Sequence, residues 1–355
     1  MSVVIVSAVL LSSAFAIYCY MNRHKPLKII LRDLKYAVDM QGAGAAGLID
    51  DWINLRRNKA VLPDAKQRVA VITGGARGIG YEVVRGLLQA NMTVVMGIRR
   101  PELVQHMRET MPNGENLHAY QLDLTSLKSV KNFAETVLKN FKEIHLLVNN
   151  AGIMYGDYKL TEDDIEMQLG VNYMSHFYLT HLLLPALKRN VLEEPSRVVN
   201  VSSCAHHPGT IYFEDINMKK NYNTTAAYAQ SKLAQLMSAR YINKLMEDEG
   251  SNVRCFSVHP GIVNTGLFEK TFFSKLPWLT KMLFKSPEKG ATTVLFTCFN
   301  KDLNKRGGLY LSNCIEGISN GFSKKFENQK KLFEISCDLA NIQKENFGKS
   351  DLGLM

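Results

Sequence analysis

From Arg68 onward, short runs of apolar and β-branched residues alternate with longer stretches whose apolar positions recur at helical spacing. The runs are Arg68–Thr73, Met92–Ile98, Leu117–Leu122, Ile144–Asn149, Arg197–Val201 and Val253–Val258. Continuous rather than alternating hydrophobicity, bounded by Gly, Asn or Asp, is how a strand buried on both faces reads. Between the runs, Gly80–Ala90, Ser126–Phe141 and Ala226–Asp248 have the spacing and length of helices. Alternating strand–helix units predict an α/β fold: one doubly wound Rossmann domain over residues 66–325, its parallel sheet flanked by helices. No second alternation and no fixed repeat interrupts it. Residues 326–355 read as a C-terminal helix and polar tail.

The chain before Arg68 follows another pattern. Val3 to Met21 carries no charged side chain and is close to the shortest run that spans a bilayer as a helix. Arg23, His24, Lys25 and Lys28 follow it, which by the positive-inside rule keeps the rest of the chain cytosolic. Ala14-Phe15-Ala16 resembles a signal-peptidase site, but only Met1 and Ser2 precede the apolar run, so a basic leader region is missing. An uncleaved transmembrane anchor over 1–21 is therefore expected. Residues 22–65 are expected to form a linker. Within it, Gly42, Gly44 and Gly47 spell G-x-G-x-x-G without a buried strand before them, which reads as a flexible hinge rather than a phosphate turn.

Composition narrows the function classes. With 355 residues and 46% hydrophobic content, the chain is long enough for one large core. Lys plus Arg exceed Asp plus Glu by 43 to 33, a net charge of +10, yet no block of like charges occurs. Nucleic-acid binding is not expected. The six cysteines lie far apart without a CxxC pair, which argues for buried thiols in a reducing compartment. His206-His207 has no cysteine or carboxylate companion and reads as a loop pair rather than a metal site, so no metal is expected.

Candidate chemistry begins at Val69-Ala-Val-Ile-Thr-Gly-Gly-Ala-Arg-Gly-Ile-Gly80, a strand, a glycine turn and a helix start. Glycine there permits reversal and close approach to a pyrophosphate, and the helix N-terminus supplies free N–H groups. Thr73, Gly74, Arg77, Gly78, Ile79 and Gly80 are the candidate residues. An acid at the end of the second strand would bind the ribose 2′-hydroxyl of NAD. Here Ile98 takes that place, followed by Arg99, with Arg77 in the turn. Two guanidinium groups suit a 2′-phosphate. NADP(H) is the preferred cofactor, with NAD(H) as the alternative. Further along, Tyr228 and Lys232 stand i,i+4 on one helix face. An ammonium beside a phenol lowers its pKa from about 10, making it a usable acid or base for alcohol–carbonyl interconversion. Ser202 and Ser203 end an apolar strand, at the sheet edge where such folds bind ligands. Asn172 offers an amide that can hold water or a backbone carbonyl.

These motifs together resemble the short-chain dehydrogenase/reductase superfamily over about residues 66–315. The matching stretches are Thr73–Gly80, Asp123-Leu124, Asn149-Asn150-Ala151-Gly152, Asn172, Ser202-Ser203, Tyr228-x-x-x-Lys232 and Pro260-Gly261 with Thr265. The resemblance implies Tyr228 as the acid/base and Ser203 as the hydrogen-bonding partner of the reacting oxygen. It implies Lys232 on the nicotinamide ribose and Asn172 in a proton relay through water. Asp123 would meet the adenine, Asn149 and Gly152 would line the cofactor with their motif neighbours Leu124, Asn150 and Ala151, and Thr265 would hold the carboxamide beside Pro260-Gly261. The serine stands twenty-five residues before Tyr228, where the family usually leaves about thirteen. The insertion, His206 to Thr225, resembles that of the retinol dehydrogenase branch, whose pattern matches Ser203, with Ser202 as the alternative. Other stretches are similar to the polyprenol dehydrogenases of that branch.

Residues 266–284, in an expected lid of about 266–285, mix large apolar side chains with Lys270, Lys275 and Lys281, the makeup either of a packed helix or of an apolar lid against a bilayer. The expected function is a membrane-anchored oxidoreductase acting on a lipophilic polyprenoid or retinoid alcohol/carbonyl pair. A steroid substrate and a non-catalytic nucleotide-binding scaffold are the alternatives. The expected partners are that small molecule and a membrane, with a homodimer left open. Endoplasmic reticulum or lipid droplet, catalytic domain toward the cytosol, is the location the resemblance implies.

Overall fold

In the computed structural model, residues 26–269, 275 and 277–349 are described. Six runs of β-branched and aliphatic residues form parallel strands: β1 (Val69–Thr73), β2 (Thr93–Ile98), β3 (Leu117–Gln121), β4 (Leu146–Asn149), β5 (Ser196–Val201) and β6 (Val253–His259). Two short strands missed by the hydrophobic pattern, β7 (Tyr310–Ser312) and β8 (Ile315–Glu316), extend the sheet to the order 3-2-1-4-5-6-7-8. β8 pairs antiparallel, so the sheet is parallel except at that edge. Three and two residues are too few to show any period.

Side chains alternate across the sheet and feed two cores. Val71, Leu147 and Val198 join the cluster under α4 (Leu127–Asn140), α5 (Ser175–Lys188) and α6 (Thr224–Asp248). Ala70, Ile72, Val148 and Val199 join the opposite cluster, under α2 (Gly78–Gln89), α3 (Val104–Thr110) and α8 (Pro287–Phe299). Helix starts follow their capping chemistry: Asn223 accepts the Ala226 N–H at 2.9 Å, and Ser286 precedes Pro287 at the first turn of α8. The C-terminal helix α9 (Phe326–Leu339) is no mere appendage, because Leu332, Phe333 and Cys337 are buried in the first core. The five described cysteines are free and buried.

The largest departure from expectation lies before the domain. Residues 42–47, expected as a flexible hinge in a linker, sit inside one continuous helix, α1 (Leu27–Ile53). Glycine costs an exposed helix about 1 kcal/mol relative to alanine. Here docking offsets it: Ile30, Asp33, Gly47 and Asp51 form a buried stripe at helical spacing. A Cβ on Gly47 would lie 3.3 Å from Cys204 Sγ and 3.5 Å from Ile262, so this glycine marks a close approach of α1 to the body. α7 (Pro277–Leu283) stands in the expected lid, whose residues 270–274 and 276 lie outside the described residues, as does the expected anchor at 1–21. Among the described residues, no helix is long and apolar enough to cross a membrane.

Three buried histidines predict acid sensitivity. Burial pushes His206 down to about 3 and both His176 and His259 down to about 4. Below about pH 6.5 the unfolded chain takes up protons that the folded one refuses, so stability is full above that pH and is lost as pH falls toward 4. Glu166, which burial raises, opposes the trend as a single group. Each histidine contributes of order 1 kcal/mol by pH 5.5, so Tm should fall by roughly 5 °C or more between pH 7.5 and 5.5. A flat Tm profile over that range would show that these histidines charge without opening the core.

Candidate active site

The strand order reverses beside β1, so β1 and β4 open a crevice at their carboxyl ends, where open α/β sheets take ligands. The glycine turn fills the floor of that crevice. Gly74 and Gly78 have φ of +69° and +59°. A Cβ on Gly80 would lie 2.2 Å from Gly74 O, so α2 rests directly on the turn. Asn150 Nδ2 staples the turn by donating to Thr73 O (2.9 Å) and Gly74 O (3.0 Å). Thr73 Oγ1 accepts the N–H groups of Asn150 and Ala151, both at 3.1 Å. It therefore donates to His176 Nε2 (2.8 Å), whose Nδ1–H then donates to Asn172 O (2.9 Å). That tautomer fits a histidine kept neutral by burial.

The start of α2 has no side-chain cap and no acid in its first turn. Its N–H groups and partial positive charge are thus available to an anion. Ile98 at the end of β2 is buried, while Arg99 and Arg77 are exposed at the crevice rim. Arg77 Nη1 would lie 3.3 Å from a Cβ on Gly266, which places the guanidinium between the turn and the segment after Thr265.

α6 carries Tyr228 and Lys232 into the same crevice. Tyr228 is 4% exposed and clusters with Met154 and Ala205, flanked by Met40, Tyr155, Leu267 and Phe268. Burial raises its hydroxyl well above the ordinary tyrosine value, and a hydrogen bond with Ser203 acts the other way. The expected ammonium effect is not what dominates. Lys232 Nζ lies 5.8 Å from the Tyr228 ring centre and donates to Val201 O (2.8 Å) and Gln235 Oε1 (2.9 Å). With no carboxylate paired to it among the described residues, burial lowers it to about 7. A Cβ on Gly152 would lie 3.5 Å from Lys232 Nζ and 3.3 Å from Asn172 Oδ1, so these three positions converge.

The serine pair divides cleanly. Ser202 Oγ donates to Lys232 O at 2.7 Å, holding β5 to α6. Ser203 is the one at Tyr228, and its Oγ also accepts the Ala205 N–H at 3.2 Å. Asn172 sits in a π-helical turn, Gly170–Met174, with its amide on the backbone of Ile153: Oδ1 accepts that N–H (2.8 Å) and Nδ2 donates to its carbonyl (3.0 Å). It holds a backbone, one of the two uses its amide allowed.

Other expected residues fall at varied depths. Asp123 Oδ1 accepts from Thr125 N and Oγ1 at 2.9 and 2.8 Å, closing a turn after β3, while Leu124 is buried in the core. Ala151 abuts Gly74, and Ile79 packs beside the second core. Thr265 faces the glycine turn, its Cγ2 being 3.2 Å from a Cβ on Gly78. Pro260-Gly261 leads into it with Gly261 at φ +93°. Asn149 points inward: its Nδ2 donates to Thr180 Oγ1 (3.1 Å) and Asn200 Oδ1 (2.8 Å), so it braces β4 against α5 and β5.

Sequence reasoning passed over His176, Gln235 and Met40. His176 stands four residues after Asn172, a spacing that could have flagged it. Gln235 stands one turn beyond Lys232, and Met40 belongs to a segment expected to be a linker. Among the described residues, no group of three or more His, Cys, Asp or Glu side chains could hold a metal.

Comparison with known proteins agrees with this geometry. The sequence signature of the short chain dehydrogenase family matches residues 68–275. Human retinol dehydrogenase 11 is 36% identical over 279 residues, 78% of this chain and 86% of that protein. Zebrafish (Danio rerio) polyprenol dehydrogenase is 36% identical over 291 residues, covering 79% and 89% respectively. Among solved structures, an uncharacterised protein from Mycobacterium paratuberculosis superposes with a TM-score of 0.66 at 30% identity, covering 79% of this chain and 96% of that one.

Proposed function

Because the chain belongs to the short-chain dehydrogenase family and is an oxidoreductase acting on CH–OH donors, we propose that it moves hydride between NADP(H) and a long lipophilic alcohol or its carbonyl partner. The observation that carries this reading is the convergence of Tyr228, Ser203 and Lys232 beneath an apolar wall of Met40, Met154, Tyr155, Leu267 and Phe268. A polar substrate would gain little from such a wall, whereas an isoprenoid tail is well matched to it. Two of the relatives bear retinol and polyprenol dehydrogenase names, which supports the same class.

NADP(H), when bound, supplies or accepts the hydride. The glycine turn and the start of α2 would hold its pyrophosphate, Arg77 and Arg99 its 2′-phosphate, and Asp123 its adenine. Gly152, Pro260, Gly261 and Thr265 would frame the nicotinamide side, with Lys232 on the ribose. In reduction Tyr228 gives its proton to the carbonyl oxygen while Ser203 bonds the same atom. Burial raises the Tyr228 hydroxyl above the ordinary tyrosine value, and the bond with Ser203 works against that rise. Asn172 holds the Ile153 backbone and His176 the Thr73 hydroxyl, and Asn172 would support a proton relay through water.

The membrane reading rests on the apolar run at 1–21, with the endoplasmic reticulum or lipid droplet as its proposed location. The described surface supports it, because α1 and α7 expose Leu31, Val38, Trp52 and Trp278. Membranes carrying the full chain should reduce a polyprenal or retinal with NADPH at least about ten-fold faster than a steroid ketone, by the cost of mismatched apolar contacts. Absence of turnover with every aldehyde and ketone would leave the scaffold alternative standing. Replacing Arg77 and Arg99 together with alanine should raise KM for NADPH by roughly two orders of magnitude and leave KM for NADH within a few-fold. Equal losses for both cofactors would sink the 2′-phosphate assignment.

A further inference from the structure

Helix α1 precedes the segment that carries the family signature, yet it lies across the active site. Its N-terminal half meets the insertion between β5 and α6: Tyr36 and Tyr212 share a hydroxyl–hydroxyl bond of 2.6 Å, and Arg32 Nη2 donates to Asn221 O at 3.1 Å. Met40 then enters the cluster around Tyr228. Beyond Gly47, the helix ends on the loop that follows β6. Asp51 Oδ2 accepts the Ile262 N–H at 2.8 Å, and Asp51 Oδ1 pairs with Lys285 Nζ at 2.8 Å, both side chains being nearly fully buried.

Lys285 closes the loop from its other side. Its N–H donates to Ile262 O (2.8 Å), its carbonyl accepts the Asn264 N–H (2.9 Å), and its ammonium also donates to Asn313 Oδ1 (2.5 Å). Asn313 Nδ2 in turn donates to Asp50 Oδ2 (2.7 Å) and Asp51 Oδ1 (3.2 Å), and Ser312 Oγ donates to Asp50 Oδ2 (3.0 Å). Neither half of a buried pair like Asp51–Lys285 is tolerated alone. The left-handed Gly261 fits between them, since a Cβ there would lie 2.7 Å from both Asp51 Oδ2 and Lys285 Nζ. The loop 260–265 is thus gripped on both sides, and one grip comes from a helix outside the family segment.

We propose that Asp51 is a positioning residue for the nicotinamide-side loop, making α1 a working part of the active site rather than a tether. It acts through the Ile262 amide, which it fixes so that Gly261 and Thr265 present a constant surface to the cofactor. The proposal rests on the reading of 260–265 as a cofactor loop.

Two double variants of the full chain separate the acceptor from the charge. Asp51→Leu with Lys285→Met removes both charges and the acceptor, so no unpaired ion is left buried. Asp51→Asn with Lys285→Met also removes both charges but keeps a side-chain oxygen for the Ile262 N–H. In the leucine variant, amide hydrogen exchange across 261–265 should quicken at least about ten-fold. Its dissociation constant for NADPH should rise about ten-fold, while KM for the lipophilic substrate stays within about two-fold. The asparagine variant should restore slow exchange and tight NADPH binding. Unchanged exchange in a folded leucine variant would overturn the clamp. Faster exchange with unchanged NADPH affinity would overturn the loop's role, the premise itself. Should the leucine variant not fold, the asparagine variant decides: a fast-exchanging Ile262 amide there overturns the proposal, and a protected one supports it.

Discussion

Replacing Tyr228 with phenylalanine should lower kcat for carbonyl reduction by about three orders of magnitude, within the range general acid–base groups contribute. The ring is retained, so the apolar cluster with Met154 and Ala205 and the edge contact with Tyr155 at 6.2 Å should survive. Only the hydroxyl that bonds Ser203 is lost. Affinity for NADPH and Tm should stay close to the parent, because the phenol is held in an apolar cluster. Steady-state oxidation of NADPH with the preferred aldehyde gives kcat, and calorimetric titration gives the cofactor affinity. Turnover equal to the parent would remove Tyr228 from the mechanism. Parallel loss of NADPH binding would mean that the substitution disturbs the site rather than the chemistry.

The second large effect should come from Gly80→Ala. The new methyl would stand 2.2 Å from Gly74 O and 2.5 Å from Asn150 Nδ2, against backbone on one side and a committed amide on the other. Neither can yield without opening the turn and breaking the bonds of Asn150 to Thr73 O and Gly74 O. Overpacking of this kind costs about 1–3 kcal/mol of stability, and misplacing the turn should weaken NADPH binding by roughly 100-fold or more. Gly42→Ala is the matched control. It belongs to the other G-x-G-x-x-G run and lies exposed in α1, where a Cβ would meet nothing within 4 Å. That substitution should leave NADPH binding intact and stabilise the protein by up to about 1 kcal/mol. Similar losses in the two variants would contradict the distinction between the runs.

Much of the site is legible in the sequence because its signals are local. A glycine turn between a buried strand and a helix, and a tyrosine four residues before a lysine, are defined by neighbours in the chain. The resemblance to the retinol dehydrogenase branch implies Ser203 with Ser202 as the alternative, and in the structure Ser202 is committed to Lys232 O. What stays hidden are partners distant in sequence. The expectation that Lys232 acts on Tyr228 meets an ammonium turned to Val201 O and Gln235 Oε1, an arrangement that depends on how β5 lies beneath α6. Asn149 was expected to line the cofactor, whereas the register Asn149–Asn200 turns its amide into the interior.

The sequence by itself determined the six long strands of the domain and the main helices between them, because hydrophobic period and turn chemistry are properties of a few adjacent residues. It also determined the order of the motifs and hence the crevice they share, since alternating strand–helix units admit few topologies. Only the tertiary structure decided the place of α1. Its glycines, its acidic pair and its mixed polarity carry little local preference, and they gain meaning from Cys204, Ile262, Lys285 and Asn313. Those partners lie more than 150 residues away, and burial against them turned an expected linker into a wall of the site.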